Sequence, residues 1–266
     1  MPELAEVEFY RREWRGGLGA RIEAVHLHAD KRIFRGITPG LLQKSLPGSR
    51  LLDSEAHGKQ LLFRFSNGGW LGLHLGLTGE LRVEKAGFTP GKHDHLALYQ
   101  AERALVFSDP RQFGRVRFAL GPEPPEWWAS LPAPLLSREF TLAVMTSFLQ
   151  RHSKLPLKAA LLLQSGFPGL GNWMADEILW RAGLAPQRRA GELTSAETKR
   201  LWRIVRFVSR AALRHVLGSG YSALPAGWLF HERWGSDGAC PKHGHPLARE
   251  TVGGRTTAWC RACQPV

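Results

Sequence analysis

Cys240-Pro241-Lys242-His243 is followed, sixteen residues on, by Cys260-Arg261-Ala262-Cys263. Two close ligand pairs separated by a hairpin-length stretch have the spacing of a small ribbon built around a tetrahedral metal ion. Gly253-Gly254 inside that stretch predicts the turn, with Arg255 at or near its tip. Thiolates together with an imidazole suit zinc. Four protein ligands leave no open coordination position, so the expected role is structural, with one Zn2+ per chain. Cys240, His243, Cys260 and Cys263 are the candidate ligands. His245 competes for the fourth place, and the two-residue gap after Cys240 favours His243. All three cysteines of the chain lie in this tail, which speaks against a disulfide scaffold and for a reducing compartment.

Upstream of the tail the apolar period is helical. Thr194-Ser195-Ala196-Glu197 is a capping box that opens a long helix. Leu201, Ile204, Val205, Val208, Ala212 and Val216 form its buried stripe, and Gly218 ends it. Trp173 to Ala182 predicts a second helix with Asn172 as N-cap, stopped by Gly183 and Pro186. Before it comes a tight turn, Ser165-Gly166-Phe167-Pro168-Gly169-Leu170-Gly171, preceded by helical patterns on Leu142, Met145, Phe148 and Leu149 and on Leu157 and Leu161. Backbone N–H groups at a Gly-rich turn leading into a helix make an anion site, to which the Asn172 amide can add. The same residues also suit a plain helix hairpin.

A Pro-rich stretch from Gly121 through Pro134 reads as an interdomain linker. Ahead of it the period is two. Leu61, Phe63 and Phe65 alternate with Leu62 and Arg64, and Leu71, Leu73 and Leu75 with Gly72 and His74. Ser66-Asn67-Gly68-Gly69 and Thr89-Pro90-Gly91 mark turns between such runs. Many short strands point to an antiparallel sandwich or barrel. A first helix runs from Glu3 to Arg15, with apolar residues at Leu4, Val7, Tyr10 and Trp14. The expected division is a β domain over 1–120, a linker over 121–137, a helical domain over 138–226 and a ribbon over 227–266.

The chain begins Met1-Pro2-Glu3-Leu4-Ala5-Glu6. Pro2 is small, so removal of Met1 is expected, leaving a secondary amine beside two carboxylates. An α-amino group titrates near pH 8, well below lysine, so a useful fraction is nucleophilic at neutral pH. Attack on an aldehyde carbon gives an iminium ion, and Glu3 can move protons beside it. The plainer reading of these residues is an acidic first helical turn. Leu77-Thr78-Gly79 and Asp109-Pro110-Arg111-Gln112-Phe113-Gly114 offer apolar and cationic side chains on loops, suited to a wedge in a base stack or to ordinary loop packing. Lys59 is a candidate phosphate contact or a solvated lysine.

Of 266 residues, 36 are Lys or Arg and 23 Asp or Glu, a net charge of +13. That excess calls for a polyanionic partner, nucleic acid first. No apolar run is long enough to span a bilayer, and no basic segment followed by an apolar one suggests a signal peptide.

In order along nearly the whole chain, these motifs resemble the bacterial formamidopyrimidine-DNA glycosylase and endonuclease VIII family of base-excision repair. The matching segments are Pro2-Glu3 with Glu6, Gly58-Lys59, Leu75 to Gly79, Lys92 to His95, Asp109 to Gly114, Gly169-Leu170-Gly171-Asn172 with Ala175-Asp176-Glu177, and Gly254 to Thr257 before Cys260. The resemblance implies an α+β, multidomain fold: an N-terminal helix plus antiparallel β-sandwich, a helix–two-turn–helix domain and a zinc ribbon. It implies a DNA glycosylase with lyase activity by β,δ-elimination, acting on damaged double-stranded DNA as a monomer in the bacterial cytoplasm and nucleoid. Pro2 would attack C1′, Glu3 would manage protons, Glu6 would lie near the flipped base, and Lys59 would join this catalytic set. Lys59, Asn172 and Arg255 would grip the phosphates around the lesion, with His74, His93 and Lys158 also at the DNA. Leu77, Arg111 and Phe113 would fill the hole left by the everted nucleotide.

The chain departs from the family's usual pattern at four places. Ala5 stands where Pro is usual, Leu77 where Met is usual in one branch, and His243 where a fourth cysteine is usual. The loop Gly218 to Gly227 is short for closing over 8-oxoguanine, which leaves formamidopyrimidines, hydantoins, oxidised pyrimidines or bulky adducts as substrates. Two other readings compete: a damage-binding protein without catalysis or with lyase activity alone, and a zinc-ribbon protein bound to structured RNA. Intact Pro2, Glu3 and Glu6 weigh against the first. The wedge residues and the Gly-Leu-Gly-Asn turn weigh against the second.

Overall fold

The computed structural model describes residues 2–219 and 223–265. Met1, whose removal is expected, and Gly220-Tyr221-Ser222 of the short loop lie outside the described residues. The chain divides into two compact units. One holds Pro2 and Glu6–Leu131, the other Glu3–Ala5 and the chain from Pro132 onward.

The first unit is a β-sandwich. Its strands are β1 (Ala24–Leu27), β2 (Leu51–His57), β3 (Gln60–Phe65), β4 (Gly69–His74), β5 (Glu80–Lys85), β6 (Asp94–Gln100), β7 (Arg103–Ser108) and β8 (Arg115–Leu120). They form two antiparallel four-stranded sheets, ordered β1-β6-β7-β5 and β2-β3-β4-β8. The alternation read from the sequence is the reason. Leu61, Phe63 and Phe65 of β3, Leu71 and Leu73 of β4, Leu96 and Leu98 of β6, and Leu105 and Phe107 of β7 share one core. Burying each such side chain contributes about 1.5–3 kcal/mol. Helix α1 (Leu4–Glu13) adds Val7, and Trp14 just after it packs against Phe63 with the rings tilted and their centroids 4.7 Å apart. Helix α2 (Pro39–Ser45) contributes the fully buried Leu42.

The Pro-rich stretch does not run free between the units. Residues Glu126–Ala129 form a helical turn, α3, and Trp127 and Trp128 pack with Leu62 and Trp70 on the outer face of the second sheet. Gly72 makes room: a Cβ there would lie 2.3 Å from the Trp127 ring. Two adjacent indoles bring more apolar surface than a linker leaves in water, so the first unit extends to Leu131.

The second unit contains α4 (Leu142–Arg151), α5 (Leu157–Leu162), α6 (Asn172–Ala182), α7 (Ser195–Ser219), α8 (Leu229–Glu232) and a hairpin of β9 (Ala248–Val252) and β10 (Arg255–Trp259). Thr194 and Glu197 form the expected capping box: the Glu197 N–H donates to Thr194 Oγ1 at 3.2 Å, and the Thr194 N–H to Glu197 Oε2 at 2.8 Å. Leu201, Val205, Val208, Ala212 and Val216 of α7 are buried as the stripe predicts. Helix α6 is the centre of the unit, packed against α5, α7, α8 and β10. It ends at Gly183, whose left-handed φ of 63° lets its N–H reach back to α6 carbonyls. The hairpin turns on Gly253-Gly254, both at positive φ as a two-residue turn requires. Among the described residues no helix is long and apolar enough to cross a membrane.

Candidate functional site

In the second unit the Gly-rich turn is an anion site, and its anion belongs to the chain. Gln164 shapes the turn, accepting the Gly169 N–H at 3.0 Å and donating to the Leu170 carbonyl at 2.8 Å. The turn then presents the backbone N–H groups of Gly171, Trp173 and Met174 at the start of α6, and the Glu3 carboxylate accepts all three at 2.9, 3.0 and 3.1 Å. Both the unpaired N–H groups and the helix dipole favour a carboxylate there. The Leu4 N–H donates to the Gly169 carbonyl at 3.0 Å, so main chain and side chain hold the N-terminal segment together. Gly171 is required: a Cβ would stand 2.3 Å from the Glu3 carboxyl carbon.

Asn172 is the first residue of α6 rather than its cap; Gly171 takes the cap position. The Asn172 amide donates to the Thr256 carbonyl at 2.9 Å, which ties the start of α6 to the strand that opens at Arg255. Asn172 and the exposed Arg255 are therefore brought together, and Glu3 sits on the same helix terminus.

Lys158, expected at the DNA, is enclosed by other groups of the second unit. It is fully buried. Its ammonium donates to the Asn172 carbonyl at 2.7 Å and pairs with Asp176 Oδ1 at 2.5 Å. Arg233, the Thr257 hydroxyl and the Ala258 N–H complete the shell around Asp176. Desolvation pushes the Lys158 pKa down against the pull of Asp176. An ammonium so enclosed holds α5, α6 and β10 together and has no surface to offer a phosphate. Arg233 escaped sequence reading because nothing in its Gly-rich surroundings sets it apart.

Cys240, His243, Cys260 and Cys263 lie with their ligand atoms all within 4.8 Å of one another. His243 Nε2 is 3.8, 3.8 and 3.1 Å from the sulfurs of Cys240, Cys260 and Cys263, and the Cys240 and Cys263 sulfurs are 3.7 Å apart. Such separations are those of vertices around one small tetrahedral ion, for which metal–sulfur bonds are about 2.3 Å. The Trp180 indole N–H points at the Cys240 sulfur at 3.3 Å, an outer hydrogen bond of the kind that orients a thiolate ligand. His245 is outside the group of four, its ring tilted against that of His243 with centroids 4.4 Å apart.

In the first unit two loops carry Leu77, Arg111 and Phe113, and Asp109 fastens them. Its carboxylate accepts from the Thr78 hydroxyl at 2.8 Å, the Gly114 N–H at 2.7 Å and the Arg111 N–H at 3.3 Å. The loops approach so closely that a Cβ on Gly76, at φ +66°, would lie 2.4 Å from the Gly114 nitrogen. Leu77 is half-buried, while Phe113 is 42% exposed with the Arg111 guanidinium 4.9 Å from its ring centre. The intervening Gln112 takes a positive φ of 53°, a left-handed turn held by the surrounding bonds.

His74 ends β4 opposite Arg115 and Gln60. Burial, then the charges of Lys59, Arg35 and Arg117, push its pKa down to about 4. Its Nδ1 accepts the Gly76 N–H at 3.0 Å, so the neutral ring carries its proton on Nε2 and remains a donor. Lys59, beside the Gly58 turn, is largely buried, as is Glu6, and Pro2 belongs to this unit. His93 is exposed, with its carbonyl accepting from Asp109 and Ser108. Arg35, Arg115 and Arg117 form a cationic group that sequence reading passed over. The period-two spacing of Arg115 and Arg117 on one strand was the available signal.

A sandwich joined to a helical unit that ends in a Cys/His-closed hairpin, with an N-terminal glutamate seated on the helix after a Gly-rich turn, defines a helix–two-turn–helix class of protein. Within it, this chain belongs to the formamidopyrimidine-DNA glycosylase family. The family model for the Formamidopyrimidine-DNA glycosylase N-terminal domain matches residues 1–116, and that for the Formamidopyrimidine-DNA glycosylase H2TH domain residues 131–221. The formamidopyrimidine-DNA glycosylase of Thermus thermophilus is 36% identical over 99% of this chain and 98% of its own length. That of Geobacter metallireducens is 35% identical over 99% and 100%. The Lactococcus lactis enzyme, solved non-covalently bound to DNA containing an AP site, superposes with a TM-score of 0.88 at 26% identity, covering 99% of this chain and all of its own.

Proposed function

We propose that this chain is a base-excision-repair DNA glycosylase with AP lyase activity. Membership of the family along its whole length carries the reading, and the seating of Glu3 on the N–H groups of α6 supports its chemistry. With Met1 removed, the Pro2 amine attacks C1′ of the damaged nucleotide. The C1′–base bond breaks and the base leaves with a proton; the C1′–O4′ bond then breaks, O4′ takes a proton as the sugar ring opens, and an iminium ion joins protein and sugar. Loss of a C2′ proton expels the 3′ phosphate, and a second elimination expels the 5′ phosphate. Glu3, held as an acceptor next to Pro2 in sequence, moves the sugar's protons. Glu6 faces the everted base, and Lys59 supports the catalytic set.

The partner is damaged double-stranded DNA, bound by a monomer working in the cytoplasm and nucleoid. His74 as a neutral donor, His93, Asn172 and Arg255 hold phosphates. Leu77, Arg111 and Phe113 fill the vacated stack, offsetting the few kcal/mol that eversion costs. The four Cys/His residues hold one structural zinc ion, which fixes the hairpin bearing Arg255. The first unit, which extends to Leu131, acts as the catalytic domain, and residues 138–226 and 227–266 as helical and ribbon domains. Formamidopyrimidines and oxidised pyrimidines are the first lesions to assay.

Borohydride trapping on a duplex with one abasic site tests the reading, with Met1-processed protein, Pro2→Gly and Met1-retained controls. A covalent adduct that disappears in both controls is expected. Tight, salt-dependent binding without an adduct would overturn the lyase assignment.

A further inference from the structure

Helix α7 carries a feature that the repair chemistry leaves unused. Lys199, Arg200, Arg203, Arg210 and Arg214 are all exposed. None makes an ion pair with an acidic side chain among the described residues, and beyond Glu197, which is committed to Arg188, the helix has no acidic residue at all. At 3.6 residues per turn these five cations fall within about 100° of arc and extend about 22 Å along the axis. The buried stripe of Leu201, Val205, Val208 and Ala212 lies on the opposite side, and it is that side which packs on α6 and α4. The cations therefore point away from α6, whose N-terminus holds Glu3 and Asn172.

We propose that this face of α7 is a second DNA-binding surface, which takes the phosphate backbone of an undamaged duplex segment. Charge and spacing carry the assignment. Lys199, Arg203, Arg210 and Arg214 stand about 6, 10 and 6 Å apart along the axis, about two or three of the 3.4 Å steps between successive charges of one strand. Like charges gathered without acidic neighbours repel one another, and an anion of repeating charge relieves that repulsion. Four of the five are arginines, whose planar forks suit phosphate oxygens. An anionic membrane fits less well. A helix that lies on lipid must insert its apolar face, and the apolar face of α7 is spent on the protein core. A surface of this kind would let the protein hold one duplex while a second segment meets the catalytic units, so that search proceeds by transfer between segments.

The test is the full-length protein with K199Q, R203Q, R210Q and R214Q combined; glutamine keeps helix propensity close to that of arginine. Wild type is first saturated with a duplex bearing a tetrahydrofuran abasic analogue, and a labelled undamaged 30-mer is then titrated in during sedimentation velocity. A ternary complex is expected for wild type and lost in the quadruple variant. For the undamaged duplex alone, the dependence of log K on log salt should become shallower by about 0.9 for each phosphate contact removed. Abasic-site cleavage by the variant should match wild type in single-turnover rate, which separates this proposal from the catalytic reading. The Lys/Arg-preserving variant R203K, R210K, R214K should retain ternary binding. Absence of a ternary complex in wild type, or equal salt slopes in wild type and variant, would overturn the proposal. So would α7-dependent flotation with phosphatidylglycerol vesicles that duplex DNA fails to compete away.

Discussion

Glu3 Oε1 lies 3.0 Å from the backbone nitrogen of Trp173, across 170 positions of sequence. The bond is one of three by which a helix terminus holds the residue next to the proposed nucleophile. Glu3→Gln replaces one acceptor oxygen by an NH2 group facing the N–H donors of Gly171, Trp173 and Met174. At least one N–H then loses its acceptor, at about 1–3 kcal/mol. Thermal melting should register that loss, and borohydride trapping should fall much further than folding alone explains. Gly171→Ala should act the same way by steric means, because its Cβ would stand 2.3 Å from the Glu3 carboxyl carbon. A G171A protein with wild-type trapping would show that the position of Glu3 is immaterial.

His74 gives a pH signature. Its pKa is about 4 in the folded protein, depressed chiefly by burial and then by Lys59, against about 6.5 in an unfolded chain. Between these values the unfolded state binds the extra proton. The neutral ring's contribution is therefore complete above pH 6.5 and is lost as pH falls toward 4, up to about 3 kcal/mol. His26 and His95 are also depressed by burial, so the wild-type curve alone does not isolate His74. The difference between wild type and His74→Gln does. Denaturant unfolding from pH 4 to 7 should show the variant losing less stability on acidification.

Much of this was legible because the periods were clean. Leu61, Phe63 and Phe65 announced a strand with one face buried, and the α7 stripe with its Thr194-to-Glu197 box announced a long helix. The Cys/His spacing announced a hairpin unit on which four potential ligands converge. What the sequence concealed were partnerships across long separations. Nothing around Lys158 distinguishes a lysine facing solvent from one sealed against Asp176, since burial depends on how α5, α6 and β10 meet. The Gly-rich turn was readable as an anion site, but that its anion is Glu3 required the fold. Trp127 and Trp128 sat in a Pro-rich stretch whose composition outweighed them in the reading.

Lys158 and Arg255 should separate in their response to salt. Removing one partner of a buried ion pair costs about 3–5 kcal/mol, so Lys158→Met should lower the melting temperature sharply. Whatever fraction remains folded should bind DNA with an unchanged salt slope, because the ammonium meets no solvent. Arg255→Gln should leave the melt nearly unaltered and reduce the slope by about 1. A lowered slope in K158M would restore Lys158 as a phosphate contact.

Metal content should distinguish the two histidines of the tail. His243 lies within 3.8 Å of all three cysteine sulfurs, whereas His245 is outside the group. Purified protein should contain one zinc per chain by plasma emission. His245→Ala should keep it through dialysis against a mild chelator, and His243→Ala should lose it. Because the hairpin bears Arg255, stripping the metal should weaken DNA binding more than it lowers the melting of the sandwich. Equal zinc retention by both variants would remove His243 from the ligand set.

The two loops fastened by Asp109 should matter only where a base stack must be opened. Thr78 and the N–H groups of Arg111 and Gly114 all depend on its carboxylate, so Asp109→Ala should release the loops that carry Leu77 and Phe113 together. Filling the vacated stack offsets a few kcal/mol of eversion, which corresponds to about a hundredfold in rate on duplex DNA. A single-stranded abasic oligonucleotide has no such stack to open. The duplex-to-single-strand ratio of cleavage rates should therefore collapse in D109A and in the double variant L77A/F113A, with single-strand rates close to wild type. If both substrates lose activity in parallel, the loops shape the catalytic unit itself, and their role as a wedge is wrong.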